Sequence, residues 1–200
     1  RHDRAHQAAA PGIRPMNVAP EGWIDEVLEF WFGQLTPEAW FEKNDATDTR
    51  IRTLFGELYG RLSQTLPADA TASARGALAA IIVLDQFPRN MFRNSPKAFA
   101  TDDQALALAE AAIERGFDRA LPEAMRQFLY MPFQHSEDQT IQRRSVDLFA
   151  TLGDTNNLDY AQQHQDIIDR FGRFPHRNEA LGRISTDAEL SFLQEDGSSF

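Results

Sequence analysis

Two hundred residues with 42% hydrophobic content suffice for one compact domain with its own core. A formal net charge of -10 argues against nucleic acid and anionic membrane as main partners, since both reward basic surfaces. The chain has no cysteine, which excludes disulfides and thiolate-bound metal and fits a cytoplasmic protein.

Residues 1–19 are rich in Ala, Pro, Arg and His and contain no apolar run of the signal-peptide kind. They read as disordered or of cloning origin, with Met16 a candidate natural start. A single all-helical domain is expected over 20–195 and a frayed tail over 196–200. Pro20 opens the first helix, whose face is Trp23, Ile24, Val27, Leu28, Trp31 and Phe32, with Gly33 as its C-cap. Thr36-Pro37-Glu38 signals a short helix carrying Trp40 and Phe41. At helical spacing this aromatic cluster reads as core rather than as a binding box. Asp45 to Ser63 predicts a third helix with Ile51, Leu54, Phe55, Leu58, Tyr59 and Leu62 facing inward.

The next helix, from about Ala72 to Gln86, is apolar all round and is expected at the centre of the domain. The longest strictly apolar run, Ala77 to Leu84, is too short to span a bilayer. Leu78, Ile81, Ile82 and Asp85 share one face, so Asp85 projects from a buried surface and requires a cation or several donors. Pro88 is expected to stop the helix, and Arg89 and Arg93 to pair with Asp85 and the helix dipole.

Ser95-Pro96 starts the following segment, and Thr101-Asp102-Asp103 caps a helix to Arg115 with Leu106, Ala109, Ala112 and Ile113 inward. Leu121-Pro122-Glu123 begins another, ending near Tyr130 ahead of Pro132. Ser136 with Gln139 reads as a capping box for a helix bearing Ile141, Ser145, Leu148, Phe149 and Leu152, and closed by Gly153. Asp138 lies on that stripe and is expected to point inward. Asn156 or Asn157 caps a helix to Phe171, on whose inner stripe His164 is expected to be buried or half-buried. Thr186 with Glu189 signals a last short helix with Leu190, Phe192 and Leu193. No strand-like alternation occurs, so the reading is all-α: an irregular array or bundle of about 8–10 antiparallel helices.

Four motifs stand out: Phe30-Trp31-Phe32-Gly33, Leu84-Asp85-Gln86-Phe87-Pro88-Arg89-Asn90, Met131-Pro132-Phe133-Gln134-His135-Ser136-Glu137, and Arg170-Phe171-Gly172-Arg173-Phe174-Pro175-His176-Arg177-Asn178. In this order the chain resembles the bacterial "domain of unknown function 924" family, from about Trp23 to Leu193. The resemblance implies an all-α fold related to tetratricopeptide-like arrays, and no established activity. No tetratricopeptide signature repeats along this chain, so such an array would be irregular.

Three functions fit the residues. The first is a pocket for a small anionic ligand, built from Asp85, Arg89, Asn90, Arg93, His135, Glu137, Asp138, His164, Arg173, His176, Arg177 and Asn178. Arginines with an asparagine suit a carboxylate or phosphate, because guanidinium offers a bidentate fork. His135, His176 and Asp85 are the candidate catalytic groups, since such side chains can serve as acid or base near neutral pH. The second is a tetratricopeptide-like scaffold for a protein partner, with the polar clusters as staples. The third is a metal-dependent hydrolase using His135, Glu137 or Asp138, His164, Asp169 and His176, which lack a recognised ligand spacing. No cofactor motif is present, and no metal is assigned.

Overall fold

The structure is a computed structural model describing residues 19–200; the expectation for the N-terminal segment lies almost wholly outside them. Among the described residues the fold is helical throughout, with no strand. The α-helices are α1 (Trp23–Leu28), α2 (Asp45–Leu62), α3 (Asp69–Ala72), α4 (Ala74–Ile81), α5 (Phe87–Met91), α6 (Asp102–Glu114), α7 (Glu123–Gln134), α8 (Gln139–Phe149), α9 (Thr155–Phe171), α10 (Asn178–Leu181) and α11 (Asp187–Phe192). Two π-helical segments, Glu29–Gln34 and Ile82–Gln86, continue α1 and α4. No helix among the described residues is long and apolar enough to cross a membrane.

Local chemistry sets the helix starts. The Asn44 side chain accepts from the amides of Ala46 and Thr47, and the Ser73 hydroxyl accepts from Gly76. A Cβ at Gly76 would fall 2.0 Å from the Asp69 carbonyl, so only glycine lets α3 lie against α4. Gly172, at φ 72°, ends α9 in the left-handed conformation.

The α4–π–α5 rod is the centre of the core. Every side chain from Ala77 to Phe87 is buried, including Asp85 and Gln86. Helices α1, α6 and α7 pack on α4, α2 packs on α5, and α7, α8 and α9 follow as successive layers. Phe87 stacks on Phe55 at 4.8 Å and meets Trp31 edge-on at 5.8 Å. Such pairs contribute about 0.5–1.5 kcal/mol each beyond area burial. The aromatic cluster near the N-terminus is thus largely core: Phe30 and Trp31 are buried, and only Phe41 is exposed.

Several expectations need correction. Pro88 does not stop the central helix. The backbone widens to a π turn over Ile82–Gln86, and Pro88 falls in the first turn of α5, where a missing N–H is tolerated. Pro132 likewise does not end α7, which runs on to Gln134. It lies in the last turns among buried Phe128, Leu129, Met131 and Phe133, whose packing holds the helix despite the lost bond. Gly33 is inside the first π segment rather than closing a helix. Leu54 is 57% exposed, although its spacing suits the inner stripe of α2. Within 196–200, where fraying is expected, Ser198 is buried and the Phe200 ring lies 3.8 Å from that of His164.

Candidate functional site

The π turn delivers Asp85 to the end of the central rod with no solvent exposure. Its Oδ2 accepts from the Gln86 side-chain amide at 2.7 Å, and its Oδ1 lies 2.7 Å from His135 Nδ1. Arg89 Nη1 approaches Oδ1 at 3.6 Å and donates to the Asp85 carbonyl at 2.7 Å. Arg89 also forks onto Asp102 at 2.7 and 2.9 Å. Next comes Arg177, 3.5 Å from the same carboxylate. Its guanidinium lies between the rings of Phe99 and Phe174, 4.6 Å from each, and donates to the His135 carbonyl at 2.9 Å. Its Nε is buried without a partner. The result is an alternating chain, Asp85, Arg89, Asp102, Arg177, at one end of the helix layers.

Burial pushes the Asp85 carboxyl up, but His135, Arg89 and the Gln86 amide together outweigh it and hold it below the usual range. Burial, reinforced by Arg89, pulls His135 down despite Asp85. Burial, with Arg89 nearby, pulls Arg177 down to about 10. Glu137 is driven up by burial but held low by Arg183, which binds it at 2.8 and 3.0 Å, and by the Phe174 amide at 2.8 Å.

A cleft of about 250 Å³ opens over this chain. Its polar lining is Asp102, Asp103, His135, Ser136, Glu137 and Arg177, and its apolar walls are Phe99, Leu106, Pro132 and Leu181. Helix α6 begins there, and Thr101 at its N-cap makes no side-chain cap. The Thr101 hydroxyl donates to the Leu84 carbonyl instead.

The twelve sequence candidates do not form one site. His135, Glu137 and Arg177 line the cleft, with Asp85 and Arg89 in the ion chain behind them. Asn90 and Arg93 bind Asp48 of α2 instead, so Arg93 does not reach Asp85. Asn90 is the next residue after Arg89 and Arg93 lies about one turn further, and both reach the α2 side of the rod. Asp138 is exposed and is itself the N-cap of α8, accepting from the amides of Thr140 and Ile141. The expected Ser136 box and inward Asp138 therefore fail, because two free amides are within reach of the Asp138 carboxylate. Arg173 forks onto Glu189 at 2.7 and 2.8 Å, and Asn178 joins them through Glu189 at 3.3 Å and Arg183 at 2.8 Å. Glu189 also forms the capping box with Thr186, and the Arg173 fork is the main reason its carboxyl falls to about 2.

His164 is buried, 2.7 Å from the Tyr160 carbonyl, with the Phe200 ring stacked 3.8 Å away. His176 is half-buried beside Phe174 and Phe200, and its Nδ1 has no partner. Asp169 is exposed. Among the described residues no three His, Asp or Glu side chains gather as a metal ion would require. Sequence reasoning missed Asp48 and Arg183, for which no local signal exists. It treated Asp102 as a cap and Glu189 as a box partner, yet both are hubs of arginine networks.

The comparisons agree with one another. The family model described as "Bacterial protein of unknown function (DUF924)" matches residues 27–197. A solved structure of a protein of unknown function from Agrobacterium tumefaciens is 38% identical with a TM-score of 0.82, covering 86% of this chain and 96% of that one. No curated protein matches the chain.

Proposed function

This chain belongs to the bacterial DUF924 family of unknown function, and we propose that its cleft binds a small ligand carrying a carboxylate or phosphate. One observation carries the reading. Arg177 is a 7% exposed cation at the cleft, 4.6 Å from each of two rings, with one donor unpartnered. Buried charge without full pairing is costly, and an anion in the cleft would add countercharge to the guanidinium.

Carboxylates also line the cleft, but two of them are already neutralised. Asp102 carries the Arg89 fork and Glu137 carries the Arg183 fork. The N-terminus of α6 adds the positive end of a 13-residue helix dipole. A scaffold for a protein partner, tetratricopeptide-like or otherwise, has less support. The exposed large apolar residues Phe41, Leu54, Tyr160, Ile184, Leu190 and Phe200 are scattered along the chain rather than concentrated on one helix.

Thermal unfolding against a panel of carboxylates and phosphates tests the proposal. A ligand at 100-fold its dissociation constant should add about 2.7 kcal/mol. Arg177→Met should abolish that gain, because the thioether can fill the gap between Phe99 and Phe174 without a charge. A ligand gain that survives Arg177→Met would contradict the assignment.

A further inference from the structure

Resting on that anion-binding reading, we propose that the cleft is hydrolytic: His135 Nε2 accepts a proton from a water molecule attacking an ester of the bound carboxylate. Nδ1 lies 2.7 Å from Asp85 Oδ1. Asp85 is fully buried, and the Gln86 amide fixes its second oxygen at 2.7 Å, so the carboxylate is held in place. An ionised carboxylate only accepts, so Nδ1 carries the hydrogen and the neutral ring has a bare lone pair at Nε2.

His135 lines the cleft, and Nε2 hydrogen-bonds to no described residue. Its backbone carbonyl is bound by Arg177 at 2.9 Å, which fixes the base and the anion anchor relative to each other. Burial and Arg89 disfavour the imidazolium, keeping the base free at neutral pH. Asp85 is the positioning residue, a buried carboxylate that sets the tautomer of a proton-transferring histidine.

Among the described residues no serine or threonine hydroxyl bonds Nε2, so the nucleophile assigned is water. Its oxygen bonds to the acyl carbon while its proton passes to Nε2. The tetrahedral intermediate then collapses, the carbon–alkoxide bond breaks, and the proton on Nε2 leaves with the alcohol. The products are an alcohol and a carboxylic acid, which gives the second proton of the water to solvent as it ionises; no oxidant or reductant is consumed.

The probe is p-nitrophenyl hydrogen succinate, an activated ester with a free carboxylate for Arg177. The wild-type chain should release p-nitrophenol faster than free imidazole at equal concentration, and should not accelerate p-nitrophenyl acetate, which lacks the carboxylate. His135→Asn keeps an amide donor for Asp85 but has no nitrogen at the cleft, and should lose about 100-fold or more in kcat/KM. Arg177→Met should act mainly on KM. The wild-type pH profile should fall on the acid side with unit slope, which a purely structural histidine would not produce. Succinate protection against thermal unfolding, measured on the same samples, separates the two layers of the argument. Succinate binding with hydrolysis no faster than imidazole, or full hydrolysis in His135→Asn, overturns the base assignment and leaves the binding reading intact. Neither binding nor hydrolysis overturns both.

Discussion

Asp102→Ala is the sharpest perturbation of the ion chain. The carboxylate accepts two bonds from Arg89, at 2.7 and 2.9 Å, and stands 3.5 Å from Arg177. Those guanidinium side chains are only 20% and 8% exposed, so water cannot fully replace the lost partner. Removing one member of a buried pair costs about 3–5 kcal/mol. The lower end applies, because Arg89 keeps the Asp85 carbonyl at 2.7 Å and its carboxylate at 3.6 Å. A loss of about 3 kcal/mol corresponds to roughly 6–12 °C in Tm for a domain of this size. Urea unfolding followed by circular dichroism should show a lower midpoint at unchanged slope. Arg89→Met in the Asp102→Ala background should not recover the loss, since Arg89 is also the cation on the fully buried Asp85. An Asp102→Ala chain within about 0.5 kcal/mol of wild type would refute the reasoning.

Acid stability follows from the histidines. Burial pulls His164 and His176 each from 6.5 down to about 3. Both are neutral in the folded chain, while the unfolded chain takes up their protons near 6.5. The unfolded state therefore binds more protons in that window, so stability is full above pH 6.5 and lost as pH falls toward 3. Unfolding midpoints measured across that window should decline from its upper end and decline less in His164→Gln; a flat profile down to pH 4.5 would contradict this. Within α2, Leu54→Lys should change stability by less than about 0.5 kcal/mol, because Leu54 is 57% exposed. Ile51→Ala, one turn earlier and fully buried, should cost about 2–5 kcal/mol. Chemical denaturation of the two variants side by side would expose an error if they lost equal stability.

The all-helical class was readable because apolar residues recur at helical spacing and strand alternation is missing. The burial of Asp85 was readable for the same reason: Leu78, Ile81 and Ile82 share its face. Its partners were not. Proximity along the chain points to Arg89 and Arg93, whereas the nearest donor apart from Gln86 is His135, 50 residues away. The π turn before Pro88 also escapes a 3.6-residue period, and with it the continuation into α5 that carries Arg89 to Asp102. Asp138 shows local and tertiary signals in conflict. Its place on an apolar stripe suggested burial, but two free amides at the start of α8 claim its side chain. Arg183 follows a glycine and has no motif around it; only the fold brings it back to Glu137.

Arg177 and its cleft are proposed to receive an anion. Calorimetric titration of succinate, with inorganic phosphate as a second arm, into wild type and Arg177→Met tests it most directly. Wild type should bind at least one of them saturably at a single site, and a folded Arg177→Met chain should bind neither. No heat with either anion in wild type, or equal binding in both chains, would contradict it.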